Sequence, residues 1–418
     1  MRGSYEQEIF NNVPCGITSD GIGKKNEDTL RFRLKNEMRR ASKPSAGAAK
    51  DIYAWVQGGM IDFSSKYYRD MFSIEFGGYY VYKLGARYSM STRAYLDGHD
   101  SFGFMSAALK IKPTDNIYIK LGRFSTDSGY GSLPYEVPLI DIASNRTLPG
   151  MSEGVLFYYN YDNSLDIWGL WRNGVFTSYD SEYGVRNDGI DSGCPGKKYD
   201  IHRPLNMLAL SWHNTSGRYS LGGSYQKDDS VQILGELNKK FKIRERDSVK
   251  SQLKFFYAEL EGFNKEKKRR AGEPDDTYLL SGQISFNTPD IGAFVSAGYI
   301  NHAISGTNVD TDRSYVYSLS IDRNKEQMYS FQTGFTYNIT PELSVMFAPM
   351  MTHGYESSRK DVEIQGACIL GAMTYNINNG PNIFLSADRC REKRDGSRFG
   401  DRLNYWDVKL SIRYDIYI

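Results

Sequence analysis

Apolar and polar residues alternate along the C-terminal end of the chain. Every second residue is apolar from Trp406 onward: Trp406, Val408, Leu410, Ile412, Tyr414, Ile416 and Ile418. The positions between them form a mainly polar row: Asp407, Lys409, Ser411, Arg413, Asp415 and Tyr417. A period of two is that of a β-strand with two different faces. The pattern therefore predicts a strand over 403–418 that separates an apolar from an aqueous environment.

The same alternation marks the first recognisable strand, predicted over 27–40. Its apolar face holds Leu30, Phe32 and Leu34, and its polar face holds Arg31, Arg33, Lys35, Glu37 and Arg39. Alternation predicts further strands near 51–64, 70–85, 102–112, 116–124, 153–161, 163–174, 205–213, 218–227, 230–241, 250–262, 276–287, 292–301, 328–338, 342–352, 362–377 and 382–391. The total is about 18, an even number like that of bacterial barrels. A long charged turn within 228–250 is where the count could change by two.

Short and long connections alternate between these strands. The short ones carry residues typical of tight turns, as in 112–116 and 214–217. The long ones are polar, as in 86–101, 175–204 and 302–327. Regular sorting of this kind is typical of an up-and-down barrel with short turns at one end and long external loops at the other. The predicted fold is an all-β transmembrane antiparallel barrel, with one long loop folded into the lumen.

Composition agrees with a barrel and excludes a bundle of membrane helices. The chain has 418 residues, among them 40 Gly, 32 Tyr and 21 Phe. Its mean hydropathy is −0.54, and it lacks an apolar run of about 18 residues, which a membrane-spanning helix needs. A barrel needs only alternation, so it can be hydrophilic on average. The net charge of +2 does not indicate a nucleic-acid partner.

Two parts of the chain are predicted: an N-terminal segment, 1–26, and a transmembrane barrel, 27–418. The N-terminal segment is either a tail or a piece of chain inside the lumen. Met1-Arg2-Gly3-Ser4 is typical of an expression-vector start, and no apolar signal stretch follows. We therefore expect a mature protein of the Gram-negative outer membrane whose signal has been replaced.

The four cysteines and five histidines lack the spacing of a metal site. A disulfide between Cys15 and Cys194, or between Cys368 and Cys390, is possible in an oxidising compartment. Neither pairing follows from the sequence. We expect no cofactor, no metal and no catalytic residue.

The width of the predicted barrel decides which face of each strand points inward. A barrel of about 18 strands is too wide for side chains to fill, so its interior holds water and must be polar. Leu208, Leu210 and Trp212 are then expected to face lipid. Ser330 and Gln332 are expected to line the pore.

Closure of the barrel makes the first and last strands neighbours. Their polar rows then lie together and bring six cationic side chains to one wall: Arg31, Arg33, Lys35, Arg39, Lys409 and Arg413. Like charges side by side destabilise a sheet, so this wall needs partner carboxylates or a function. One interpretation is a solvated, ion-paired face. The other is a basic track that hands an anionic solute down the pore, because guanidinium groups suit carboxylates.

The long connection 124–152 is a second candidate, because it is too apolar for a free surface loop. Prolines and aliphatic residues argue against disorder, so we expect this loop to fold inward and narrow the lumen. Glu136 and Asp141 would supply acceptors there. Arg123 and Arg146 would supply donors, and Tyr135 belongs to the same candidate site.

The run from Leu133-Pro134 to Asn145-Arg146-Thr-Leu-Pro149-Gly150, the basic first strand and the strand number resemble the OprD/chitoporin family of substrate-specific outer-membrane porins. The resemblance extends over most of the barrel. It implies an 18-stranded monomeric or weakly trimeric channel with an inward-folded third external loop. It also implies a ladder of basic residues opposite acidic and hydroxyl groups. Members of that family transport small carboxylates and basic amino acids, or chito-oligosaccharides.

The predicted function is passive, selective diffusion of a small polar or anionic nutrient, with no chemical step. The expected partners are that solute, outer-membrane lipid and lipopolysaccharide, with a monomer or weak homotrimer as the assembly. One alternative is an oligosaccharide porin of the same architecture. A second is a barrel whose long loops carry an enzymatic or adhesive activity.

Overall fold

A computed structural model shows the fold of the chain. It describes residues 27–45, 48–86, 100–125, 151–162, 164–176, 204–303, 323–358, 360–397 and 402–418. The predicted N-terminal segment, 1–26, lies outside the described residues. So does nearly all of the predicted inward loop, since 126–150 are not described.

The described strands form one closed antiparallel barrel. They are β1 (Thr29–Ser45), β2 (Ala48–Ser64), β3 (Phe72–Ala86), β4 (Ser101–Thr114), β5 (Ile117–Phe124), β6 (Met151–Asn160), β7 (Leu165–Phe176), β8 (Leu205–Asn214), β9 (Gly217–Gln226), β10 (Ser230–Lys242), β11 (Ser248–Leu260), β12 (Asp276–Asn287), β13 (Ile291–Ile300), β14 (Glu326–Asn338), β15 (Leu343–Tyr355), β16 (Glu363–Asn376), β17 (Asn382–Asp395) and β18 (Arg402–Tyr417). Each strand pairs with the next in sequence, and β18 pairs back onto β1. The predicted fold class and the count of 18 are therefore confirmed, including the two strands predicted at 230–241 and 250–262 on either side of the charged turn.

One helix, α1 (Gly262–Ala271), follows β11 in a stretch that was predicted as a loop. Its sequence is rich in Lys, Arg and Glu, which favour helices. It ends at Gly272, whose φ of 69° is the left-handed conformation that glycine adopts without strain. Lys265 binds Glu259 at 2.5 Å, and this hydrogen bond raises the pKa of the lysine. The sequence pattern does not predict this helix, because nearly all of its residues are polar and show no helical periodicity of apolar positions.

The described part of the chain holds no helix that is both long and apolar enough to cross a membrane.

The two ends of the barrel differ as the connections predicted. The end that carries α1 also carries the long connections, and we call it the external end. The other end has short turns, such as 215–216 and 288–290. In the turn after β6, the hydroxyl and the backbone N–H of Ser164 donate to Asp162. These bonds lower the pKa of that carboxyl and fix the turn.

The inward and outward rows follow the predicted parity. Leu208 is 63% exposed, and Leu210 and Trp212 are also exposed on the outer face. Ser330 and Gln332 are buried on the inner face. Aromatic and aliphatic side chains on the outer face form the apolar band that a barrel presents to lipid. The expected location in the outer membrane is confirmed by this fold.

Cys368 and Cys390 form a disulfide that crosses from β16 to β17. The two residues lie directly opposite in the register, with Cα atoms 4.1 Å apart, and both are buried. Of the two pairings that the sequence allowed, this one is present. Cys15 and Cys194 lie outside the described residues.

Candidate functional site

The closure of the barrel places the basic row of β1 against the polar row of β18. Arg33 lies opposite Asp415, Lys35 opposite Arg413, and Arg39 opposite Lys409. The odd-numbered residues of β1 are the buried ones, so this row points inward. The expected neighbourhood of the two rows is thus present in the structure.

Asp415 lies between two guanidinium groups of this wall. Arg33 donates from Nε to one carboxylate oxygen, and Arg413 donates to the other from Nε and Nη2 at 2.7 Å. The side chain of Arg33 is only 1% exposed, whereas that of Arg413 is 33% exposed. One carboxylate therefore neutralises a buried cation and an accessible cation together. Of the two, Arg413 is the one that a solute in the lumen can reach.

Other cations of β1 also have carboxylate partners. Arg39 binds Asp407 through Nε and Nη2, at 3.0 and 2.8 Å from Oδ2. Its neighbours repeat the arrangement: Arg31 binds Asp62 of β2 at 2.8 Å, and Lys35 binds Glu37 at 2.9 Å. This part of the wall is ion-paired, which agrees with the first of the two interpretations of the basic row.

A second group of cations on the neighbouring strands was not singled out from the sequence. The ammonium of Lys120 lies 2.9 Å from the Glu75 carboxylate, and that of Lys110 lies 3.9 Å away. Lys120 is fully buried, and Lys110 also donates to the hydroxyl of Ser64. Parity could have found these lysines, because each alternates with aliphatic residues in its strand.

Cations outnumber carboxylates on the lumenal row of β18 and β1–β5. The cations there are Arg31, Arg33, Lys35, Arg39, Lys83, Lys110, Lys112, Lys120, Lys409 and Arg413. The carboxylates are Glu37, Asp62, Glu75, Asp407 and Asp415. Counted on these described strands alone, the lumenal row therefore carries a net positive charge. Within a cavity that has low-dielectric walls, such an excess produces a positive potential that attracts anions.

The inward row of β11–β17 mixes polar and apolar side chains. A cluster of buried apolar side chains extends over β11–β18 and includes Phe256, Leu279, Met328 and Met350. Serines and glutamines such as Gln332 are interspersed among them. The interior of the barrel therefore has a cationic side and a mixed side that carries these apolar side chains.

Arg123 is not where the sequence placed it. It belongs to the outward row of β5, because its neighbours in the strand alternate with the buried Tyr118, Lys120 and Phe124. Its guanidinium lies 3.6 Å from Glu153 and 6.0 Å from the ring centre of Phe104. The expected donor at a constriction thus points away from the lumen. Closeness to the long connection 124–152 suggests a lumenal position for Arg123, whereas its parity in the strand gives an outward one.

The remaining residues of the predicted constriction lie outside the described residues. They are Tyr135, Glu136, Asp141 and Arg146. Their role stays a prediction.

Solved structures share this architecture. OccK9 (OpdG) of Pseudomonas aeruginosa has a TM-score of 0.75 at 17% identity and covers 95% of this chain and 100% of its own. OpdK of the same organism, solved with vanillate, has a TM-score of 0.74 at 15% identity, with the same coverage. A BenF-like porin from Pseudomonas fluorescens Pf-5 has a TM-score of 0.75 at 16% identity, again with the same coverage. These likenesses confirm, for the fold, the resemblance to the OprD/chitoporin family.

The closed 18-stranded antiparallel barrel therefore has the fold of these outer-membrane proteins. No family model matches the chain. Sequence similarity to one known protein nevertheless identifies its family. The chain belongs to the family of the membrane-associated protein UidC of Escherichia coli (strain K12), to which it is 53% identical over 406 residues. The match spans 96% of this chain and 95% of that protein.

Proposed function

We propose that this channel gives selective passive diffusion to small organic anions. The observation that carries the proposal is the excess of lumenal cations over carboxylates on β18 and β1–β5. Anions concentrate at such a wall, and paired guanidinium groups can exchange one carboxylate for another. Exchange keeps binding weak, which conduction requires because a tightly held solute blocks the pore.

A carboxylate carried on a ring is the solute class that fits best. The cationic side of the lumen suits the carboxylate, and the apolar side chains on the mixed opposite side suit the ring. OpdK, which has the same fold, was solved with vanillate, an aromatic carboxylate. A neutral oligosaccharide would instead need open aromatic surfaces in the lumen. Many of the barrel's aromatic residues face outward, among them Tyr329, Phe331 and Phe335.

The residues proposed to attract the solute are the wall cations Arg31, Arg33, Lys35, Arg39, Lys409 and Arg413, extended by Lys110, Lys112 and Lys120. Arg413 is assigned the most direct contact because its guanidinium group, 33% exposed, keeps donors available to a passing solute. Tyr135, Glu136, Asp141 and Arg146 remain candidates for a constriction.

Ion-current recordings in planar bilayers test this assignment. Vanillate added to one side is expected to reduce the current through the wild-type channel. We expect the vanillate concentration for half-block to rise about 2- to 10-fold in Arg413→Gln, since one exposed charged contact is removed. Arg123→Gln removes the same charge from the outer face, so it is the matched control and should leave the block unchanged.

Other outcomes would each reject the proposal. Equal effects of the two variants would mean that the lumenal position of Arg413 is irrelevant. Block by chito-oligosaccharides but not by vanillate would identify an oligosaccharide porin. A folded protein without conductance would favour an activity carried by the external loops.

A further inference from the structure

A cluster of cations lies on the outside of the barrel, where the apolar outward row of β17 ends. Leu385 and Ala387 continue this row from the short-turn end, and three cations follow them toward the external end. We define the outer cationic patch as Arg389, Arg391 and Lys393 of β17 and Arg402 of β18. The strand alternation directs these side chains away from the lumen, and all four are exposed.

The register concentrates the charges of the outer cationic patch. The three cations of β17 occupy alternate positions, so neighbouring ones are about 6.6 Å apart along the strand. Lys393 lies directly opposite Arg402, and Arg391 is opposite Asn404. Like charges directly opposite on one face of a sheet destabilise it. An anion bound between them would remove that repulsion.

Few carboxylates offset these charges. Lys393 binds Asp395 at 2.6 Å. Within the described residues, no carboxylate lies within 4.0 Å of Arg389, Arg391 or Arg402. Cations elsewhere in the protein do have acidic partners. Most of those on α1 have one, as do Arg33 and Arg39 in the lumen. The arginines of the patch are therefore available to an external anion.

A shallow apolar groove on the outer wall adjoins the patch. Its volume is ≈ 1460 Å³, and Arg391, Lys393 and Arg402 are among the residues that line it. Exposed apolar side chains of β11–β15 form its floor: Leu253, Leu280, Ile284, Val295, Phe331 and Met351. Arginines beside an apolar outer wall match a ligand that carries both acyl chains and negatively charged groups.

The patch lies at the level of the external membrane surface. Trp406 is exposed directly opposite Arg389 and has the outward position of an interfacial aromatic residue. The other cations of the patch lie farther toward the external end, on the side of α1 and the long connections. They therefore lie at the depth of the lipid headgroups of the external leaflet.

We propose that the outer cationic patch and its groove bind the phosphorylated lipid A part of lipopolysaccharide. The arginines hold the phosphate groups, and the groove holds acyl chains. Guanidinium groups suit this role because they donate two parallel hydrogen bonds to a phosphate. The site lies on the lipid-facing side of the wall, so it is independent of solute passage through the lumen.

Native mass spectrometry of the full-length folded chain in detergent tests the proposal. The ligands are bis-phosphorylated lipid A and the same lipid after removal of both phosphates. The triple variant Arg389→Gln, Arg391→Gln, Arg402→Gln is expected to bind phosphorylated lipid A at least about tenfold more weakly than wild type. A control for charge alone removes three exposed cations from the rim of the barrel at the opposite end, in Lys240→Gln, Lys242→Gln, Arg244→Gln, and should bind like wild type.

The dephosphorylated lipid provides a test that does not need the triple variant to fold. The wild-type protein should bind it at least about tenfold more weakly than it binds phosphorylated lipid A. Equal binding of the two lipids by wild type would overturn the proposal. So would equal losses in the triple variant and the control, which would indicate non-specific charge attraction. The proposal would also be wrong if the wild-type chain self-associated, excluded lipid A and dissociated in the triple variant. A second copy of the chain would then be the occupant of the groove.

Discussion

Replacing Asp415 with Asn is expected to destabilise the folded barrel by about 3–5 kcal/mol, the cost of breaking a buried ion pair from one side. The change removes the carboxylate that binds the guanidinium of Arg33, whose side chain is buried at 1% exposure. It also removes the partner of Arg413, so two guanidinium groups then face each other without a charge between them. The free energy of unfolding, measured by urea titration of the barrel in lipid vesicles, tests this.

Asp290→Asn is the control for that measurement. Asp290 lies in the exposed turn between β12 and β13, and within the described residues its carboxylate binds no cation. We expect a change within about 0.5 kcal/mol, as for most surface substitutions. If Asp415→Asn were as mild as this control, Arg33 would not depend on Asp415, and the described pairing of the wall would be wrong.

Replacing Glu75 with Gln is expected to cost a similar amount, about 3–5 kcal/mol. Glu75 is the carboxylate that Lys110 and Lys120 share, and both ammonium groups are buried. An uncharged amide leaves two lysines in mutual repulsion inside the wall. The same urea titration measures the loss. A second expected effect is stronger attraction of anions to the lumen, because the wall gains one net positive charge.

Glu266→Gln provides the comparison for an exposed pair. Glu266 binds Arg270 on α1 at 3.0 Å, and both side chains are largely exposed. Surface pairs of this kind contribute about 0–1 kcal/mol. If Glu75→Gln proved no more costly than Glu266→Gln, the Lys110–Glu75–Lys120 cluster would be solvated and not buried.

The barrel could be predicted from the sequence because the alternation that marks each strand lies within that strand. Alternation along a strand records which face meets lipid and which meets water, and 418 residues contain enough strands to count. The Trp406–Ile418 pattern alone indicated β18, and closure then placed it beside β1. The pairing Arg33–Asp415 follows from register, which no single strand specifies. For this reason the sequence predicted the rows but not their partners.

The errors have equally specific causes. Helix α1 has no apolar stripe. Its charged sequence therefore has the same hydropathy pattern as a polar loop, although its residues favour a helix. Arg123 was assigned to the lumen by its position near the long connection, whereas strand parity places it outside. Lys110 and Lys120 obey the same parity rule and could have been found. The outer cationic patch depends on pairing across β17 and β18, which only the assembled sheet shows.

A lumen that favours anions should be recognisable in its ion selectivity. The zero-current potential of a single channel in a planar bilayer, under a tenfold gradient of potassium chloride, tests this most directly. The excess of lumenal cations predicts a potential whose sign corresponds to chloride as the more permeant ion. A potential of the opposite sign, or none at all, would contradict the proposed selectivity.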